Sequence, residues 1–136
     1  MKYLIANYSV DGITNSSIPE LIKYLEQLDR IFIDTETNSN SSKFDVLDQK
    51  VVMLQLGDGY NQWAIDVREI DISELYDHLI SKTVKVGHNI KFDYQVIKNC
   101  FGIELGNVYD TMLVEQLINN GKKTKKGYYT LENITT

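Results

Sequence analysis

Ile31-Phe32-Ile33-Asp34-Thr35-Glu36-Thr37 is the stretch that decides how this chain is read. A short β-branched and aromatic run predicts a buried strand, and here it leads straight into two acids. Side chains alternate along a strand with period two, so Asp34 and Glu36 project from one face and can reach a single cation together. The ordinary alternative is a pair of surface acids at a strand end, because the D-x-E spacing is common by chance. The position favours a metal pair, since a buried strand usually ends in a turn residue and not in two carboxylates facing the same way.

Working outward, residues 51–56 and 62–65 are apolar runs separated by Gly57-Asp58-Gly59-Tyr60, a turn composition that joins antiparallel strands. With residues 31–36 they predict a three-stranded meander, the acidic strand first. Upstream, residues 3–5 read as a leading strand and residues 11–17 as a polar turn. Ser17-Ile18-Pro19-Glu20 has the form of a capping box before a helix over 18–28, with Leu21, Ile22, Leu25 and Leu28 as its apolar stripe. Residues 38–42 read as a loop. Downstream, Asp71-Ile72-Ser73-Glu74 opens a helix with Ile72, Leu75 and Leu79 on one face. Residues 84–86 are a fourth strand ended by Gly87, residues 90–101 a helix, and residues 107–109 a fifth strand. Asp110 is placed to cap a helix striped by Leu113, Val114, Leu117 and Ile118 and ended by Gly121. Residues 131–136 open a further helix.

Asp93 is the more informative acid. On the 90–101 helix it shares the inward stripe with Val96, Ile97 and Cys100, where an unpaired carboxylate is costly to bury. Two kinds of partner are open to it. Lys85, Lys91 or Lys98 would make a salt bridge, and a divalent cation shared with Asp34 and Glu36 would make a metal site. Hard oxygen ligands select Mg²⁺ or Mn²⁺. With two histidines and one cysteine the chain is poorly supplied for structural zinc.

Composition bounds these readings. A chain of 136 residues, 43% hydrophobic and 24% charged, has room for one domain with a core. No apolar run is long enough for a transmembrane span or a secretory signal, so the expectation is a cytoplasmic, intracellular protein with no membrane partner. Cys100, the lone cysteine, has apolar neighbours and reads as a buried, unreactive thiol. The formal net charge of −5 argues against bulk electrostatic coating of nucleic acid, though cations bound to carboxylates invert the charge that a phosphate meets. Trp63 and Tyr60 read as core or strand-pairing aromatics, and His78 and His88 as structural. The KKTKK run at 122–126 with Tyr128 and Tyr129 is either a solvated loop or a contact for a phosphate backbone and stacked bases.

The segments IFIDTET (31–37), VGHNIKFDYQVI (86–97) and GIELGNVYDTMLVEQLI (102–118) resemble, in order and spacing, the DEDD 3′-to-5′ exonucleases. The resemblance is closest to the proofreading domain of family A DNA polymerases, with ribonuclease D-like enzymes more distant, and it covers about residues 30–134. It implies an α/β, ribonuclease H-like fold: a mixed five-stranded sheet with flanking helices. It further implies two Mg²⁺ or Mn²⁺ ions held by Asp34, Glu36 and Asp93 as catalytic and metal-binding residues. Thr35, Thr37 and Asn89 fall where the family grips the 3′ end of single-stranded DNA, with RNA as another possible substrate, and Asn89 also stands at the start of its helix. Asp110 lies in the DTM segment of the family, as a cap beside the site or as a supporting ligand.

The family's fourth carboxylate belongs to a Y-x-x-x-D or H-x-x-x-D motif that has no clear counterpart here. Tyr128 and Glu132 imitate the spacing but fall before its place. Residues 1–136 therefore read as a single exonuclease-like domain with its C-terminal part missing, belonging to or derived from a DNA polymerase, with the remaining polymerase or a complementing chain as partner. The alternative is a catalytically incomplete module that binds nucleic acid or protein.

Overall fold

The computed structural model describes residues 1–39 and 48–119. In chain order the elements are β1 (Lys2–Ile5), β2 (Thr14–Asn15), α1 (Ile18–Leu25), β3 (Arg30–Ser39), β4 (Gln49–Gly57) and β5 (Gln62–Asp66). A 3₁₀ turn (Ser73–Leu75) then runs into α2 (Tyr76–Ile80), followed by β6 (Val84–Gly87), α3 (Ile90–Phe101), β7 (Val108–Asp110) and α4 (Thr111–Asn119). The strands form one mixed sheet in the order β2-β1-β5-β4-β3-β6-β7. The expected meander is its centre, with β3–β4 and β4–β5 antiparallel. Beyond it β6 lies parallel to β3, and β7 parallel to β6. Those five strands are the ones read from the acidic strand onward. The leading strand β1 joins parallel to β5, and β2 extends that edge inside the segment read as a turn. Two residues carry no periodicity from which a strand is legible.

One face of the sheet carries the core. Register places Ile33, Leu56, Trp63 and Tyr3 in one row across β3, β4, β5 and β1. Trp63 is buried, as expected, and stacks on Tyr3 with ring centroids 4.5 Å apart. Leu21 and Leu25 of α1, Leu75 and Leu79 around α2, and Ile90 and Ile97 of α3 close over this face. Each such side chain contributes about 1.5–3 kcal/mol when removed from water. Tyr60, by contrast, is 88% exposed at the β4–β5 hairpin tip and lies in neither strand, which corrects its reading as a core or strand-pairing aromatic.

Local chemistry sets the ends of the elements. The Ser17 hydroxyl accepts the Glu20 N–H at 3.3 Å, and Pro19 occupies the first turn of α1, where a missing N–H is harmless. The helix stops at Leu25, short of the predicted 28. The last amides switch to tighter bonds, Gln27 N–H to Tyr24 O and Leu28 N–H to Leu25 O, both 3.1 Å. β3 runs on to Ser39 although residues 38–42 read as loop, because Asn38 and Ser39 pair with Lys50 and Gln49. Backbone pairing with β4 overrides their polar composition. The register shifts between Glu36 and Thr37, so β4 carries an extra residue just beyond the acid pair. Among the described residues no helix is long and apolar enough to cross a membrane. The expected end of α4 at Gly121 and the helix over 131–136 lie outside the described residues.

β5 ends on Asp66, which is fully buried. Its carboxylate accepts the Tyr8 hydroxyl at 2.7 Å and the Arg68 guanidinium at 3.0 and 2.8 Å, tying the segment after β1 to the end of β5. The Arg68 bonds hold its pKa at about 2 against an ordinary 3.8. A carboxyl depressed in the folded state stabilises above its unfolded pKa and loses that contribution as pH falls through the folded value. Asp66→Asn is therefore expected to lower stability at pH 7 by about 1–3 kcal/mol in urea unfolding, with the difference fading as pH falls from about 4 toward 2.

Candidate active site

Asp34 and Glu36 stand on the sheet face opposite the core, both exposed, and share that face as their spacing required. Asp34 lies opposite Gln55 in the β3–β4 register, and Gln55 Nε2 approaches Glu36 Oε1 at 3.5 Å. Sequence reasoning missed Gln55. Counting back through the 57–60 turn would have placed it across from the acids.

The third acid arrives through a break in the sheet. The last partners of β3 and β6 are Phe32 and Val86, so the β3 edge beyond Phe32 is open on that side. Gly87 ends β6 tightly: a Cβ there would come within 3.1 Å of Ile33 O and 3.2 Å of Ile90. Asn89 then takes the left-handed conformation, φ 58° and ψ 48°, which asparagine tolerates better than most residues. Its side chain makes no capping bond to α3, in place of the cap expected of it; the helix-start role passes to its backbone, whose oxygen accepts Phe92 N–H at 3.1 Å.

From that turn α3 buries Ile90, Asp93, Val96 and Ile97. Asp93, 3% exposed, lodges against the open β3 edge. Its Oδ1 accepts the Thr35 N–H at 3.1 Å and the Thr35 hydroxyl at 2.5 Å. The same N–H also donates to Asp34 Oδ1 at 3.0 Å, so the two carboxylate oxygens lie no more than about 6 Å apart. Burial pushes the Asp93 pKa up to about 6; the Thr35 hydroxyl opposes the shift and the Asp34 charge adds to it.

The lysines that offered a salt bridge are placed elsewhere. Lys98 pairs with Glu104 at 2.8 Å, and Lys91 is exposed. Lys85 is fully buried, donating to Ser81 O and Thr83 O at 2.7 Å and to Ser81 Oγ at 3.2 Å, with burial lowering its pKa to about 8. Among the described residues no ion pair reaches Asp93.

Nor do the described residues gather three or more His, Cys, Asp or Glu side chains closely enough to hold a metal ion. Asp93 is turned onto Thr35, and Glu36 toward Gln55. The donor chemistry nevertheless suits a hard cation. Two carboxylates converge on one N–H, one is buried without a positive partner among the described residues, and both offer only oxygen. A cation between them would offset both the burial that raises Asp93 and the Asp34 charge that adds to it.

The other candidates fall around this centre. Thr35 is engaged with Asp93. The Thr37 hydroxyl donates to Gln49 Oε1 at 2.8 Å. Asp110, 3% exposed, caps α4 by accepting Met112 N–H at 2.9 Å, as expected, and also accepts Asn89 N–H at 3.0 Å. A cavity of about 410 Å³ opens beside Asp34, with Phe32, Gln62, Val86, His88 and Thr111 in its wall. His88 is exposed in the turn before Asn89 and contacts Thr111 Oγ1 at 3.2 Å, and His78 lies in α2, both as read. Cys100 is half-buried, not buried as expected, its thiol directed at Gln49 O. Tyr128, Tyr129, Glu132 and the KKTKK run lie outside the described residues.

The sequence pattern of the 3′-5′ exonuclease domain of family A DNA polymerases matches residues 13–134. The chain is 32% identical over 101 residues to DNA polymerase I of Aquifex aeolicus, covering 74% of this chain and 16% of the polymerase, so it spans about a sixth of that relative's length. In fold it is similar to Escherichia coli RNase D, an exoribonuclease involved in structured RNA processing, at TM-score 0.59 and 22% identity over 81% of this chain and 32% of that one. It is also similar to Brucella melitensis NrnC with bound Mg²⁺, at TM-score 0.59 and 18% identity over 90% of this chain and 55% of that one.

Asp93 yields a test that needs no substrate. A carboxyl whose folded pKa is raised favours the folded state below its unfolded pKa, near 3.8, and loses that contribution as pH rises through about 6. In EDTA, Asp93→Asn is expected to be more stable than the parent at pH 8 by about 1–3 kcal/mol, with the advantage shrinking at pH 5, measured by urea unfolding at both pH values.

Proposed function

Because the chain belongs to the 3′-5′ exonuclease family, matched over residues 13–134, we propose that it hydrolyses the terminal phosphodiester at the 3′ end of single-stranded DNA. In this reading it is a proofreading-type domain, part of or derived from a DNA polymerase, and it depends on Mg²⁺ or Mn²⁺. One observation carries it beyond the family: a buried carboxylate, Asp93, stands beside Asp34 without a positive partner among the described residues. That arrangement is unfavourable for a structural role and suited to holding a cation.

Asp34, Glu36 and Asp93 would hold two such ions, which when bound supply an activated water and stabilise the charge that builds on the phosphate and the leaving 3′ oxygen. The chain's own contribution is placement. Thr35 fixes the Asp93 carboxylate through two bonds, which supports an orienting role for it beside the contact with the 3′ end. Asn89, exposed and with no capping bond, is free to meet the terminal nucleotide. Thr37 is turned away toward Gln49 and is the weaker candidate for that contact. Asp34 and Glu36 are both exposed on the sheet face opposite the core, which suits contact with a strand end.

A second reading, a nucleic-acid- or protein-binding module without turnover, is favoured by the ungathered acids. An incomplete ligand set binds metal weakly and leaves water poorly oriented. Digestion of 5′-labelled single-stranded DNA and RNA oligonucleotides with Mg²⁺ or Mn²⁺ separates the two. We expect a ladder shortened from the 3′ end on DNA, removed by EDTA and reduced on the order of 10²-fold or more by Asp34→Ala. Intact oligonucleotide together with a metal-induced rise in Tm would support the binding module.

A further inference from the structure

Asp110 does more than cap a helix. It is the last residue of β7, in register with Gly87 at the end of β6, and therefore sits beside the turn that launches α3. A single oxygen, Oδ1, accepts two amides: Met112 N–H at 2.9 Å, at the start of α4, and Asn89 N–H at 3.0 Å, twenty-one residues earlier. The second bond is the unusual one. Asn89 is a non-glycine residue in the left-handed region and its side chain does not stabilise α3, so the surroundings must supply what holds it there. Asp110 is that support, seconded by Thr111, whose hydroxyl contacts Gly87 O at 3.4 Å and His88 Nδ1 at 3.2 Å. Asp93 follows Asn89 by about one helical turn, so any change in how α3 leaves the turn moves its carboxylate relative to Thr35.

We infer that Asp110 is a positioning residue for the exonuclease site: it holds the left-handed turn at Asn89 and so sets where Asp93 stands against the β3 edge. The inference rests on the proposed exonuclease reading for its functional meaning, but its structural content is independent of turnover. The bonds that give Asp110 this role run to the Asn89 and Met112 amides. Asp110 acts through Asn89 and α3.

Two substitutions separate capping from positioning. Asp110→Ser keeps a helix-capping hydroxyl for Met112 but is one bond too short to reach Asn89 as well. Asp110→Asn keeps an oxygen that can accept both amides. Residue-resolved amide hydrogen exchange in EDTA is the primary readout, with Thr35 N–H reporting on Asp93. In Asp110→Ser we expect exchange at Asn89 and Thr35 to accelerate at least about tenfold while Met112 changes less than about threefold, and in Asp110→Asn all three to stay near the parent. Adding Asn89→Gly, which adopts the left-handed conformation without a Cβ clash, preserves the comparison if Asp110→Ser alone does not fold; it should restore protection at Thr35. Thr35 protection unchanged in Asp110→Ser, with Asn89 released, would overturn the inference. A Mn²⁺ thermal-shift titration of the same proteins tests the functional link: the Mn²⁺ concentration for half-maximal shift should rise about tenfold in Asp110→Ser and recover in Asp110→Asn. A parent protein unmoved by Mn²⁺ would count against the exonuclease reading, and the exchange data would still decide the role of Asp110.

Discussion

The bond from Thr35 to the Asp93 carboxylate, at the point where β6 stops pairing with β3, is the constraint on which the site depends. A buried carboxylate is tolerable only with donors or a cation around it. Here the sheet itself provides the donor, because a strand edge abandoned by its neighbour leaves an N–H without a ladder partner. Asp93 fills the place where β6 would have continued. Ending β6 early, at a glycine that can pack on Ile33 and Ile90, is what makes room for it.

Apolar burial is concentrated on one face of the sheet, while the acid pair of β3 stands on the other and Asp93 reaches the site from the core side. The core face carries Ile31, Ile33, Leu54, Leu56, Trp63 and Ile65 under α1, α2 and α3. The other face carries Asp34 and Glu36, with cavities of about 410 and 440 Å³ meeting at Gln62. Charges that serve the fold are satisfied within it: Asp66 by Arg68 and Tyr8, and Lys85 by three oxygens at the end of α2. Asp93 differs from both. It has donors, but among the described residues no positive charge, and its nearest ionic neighbour is another carboxylate.

Much of this organisation was legible in the chain. The meander followed from two apolar runs around Gly57-Asp58-Gly59-Tyr60, and the inward position of Asp93 from its spacing to Val96 and Ile97. The capping role of Asp110 followed from its place before an apolar stripe. Other features were hidden because they depend on partners distant in sequence. The extension of β3 through Asn38 and Ser39 is a property of the β4 edge, not of those polar residues. The failure of three lysines to reach Asp93 could not be seen from their proximity in sequence, since Lys85 points into a pocket of carbonyls and Lys98 selects Glu104. The exposure of Tyr60 is set by the geometry of a hairpin tip.

By itself the sequence determined the kind and order of the elements other than the two-residue β2, and the face of β3 on which its acids lie, since these follow from periodicity, capping and turn chemistry within a few residues. Only the tertiary structure decided that β6 stops pairing with β3 at Phe32, before Thr35 is reached, that Asn89 turns left-handed under the hold of Asp110, and that Asp93 and Asp34 meet on one amide. Those outcomes are set by strand register and by hydrogen bonds spanning 21 and 58 residues, and no local pattern encodes where such distant groups meet.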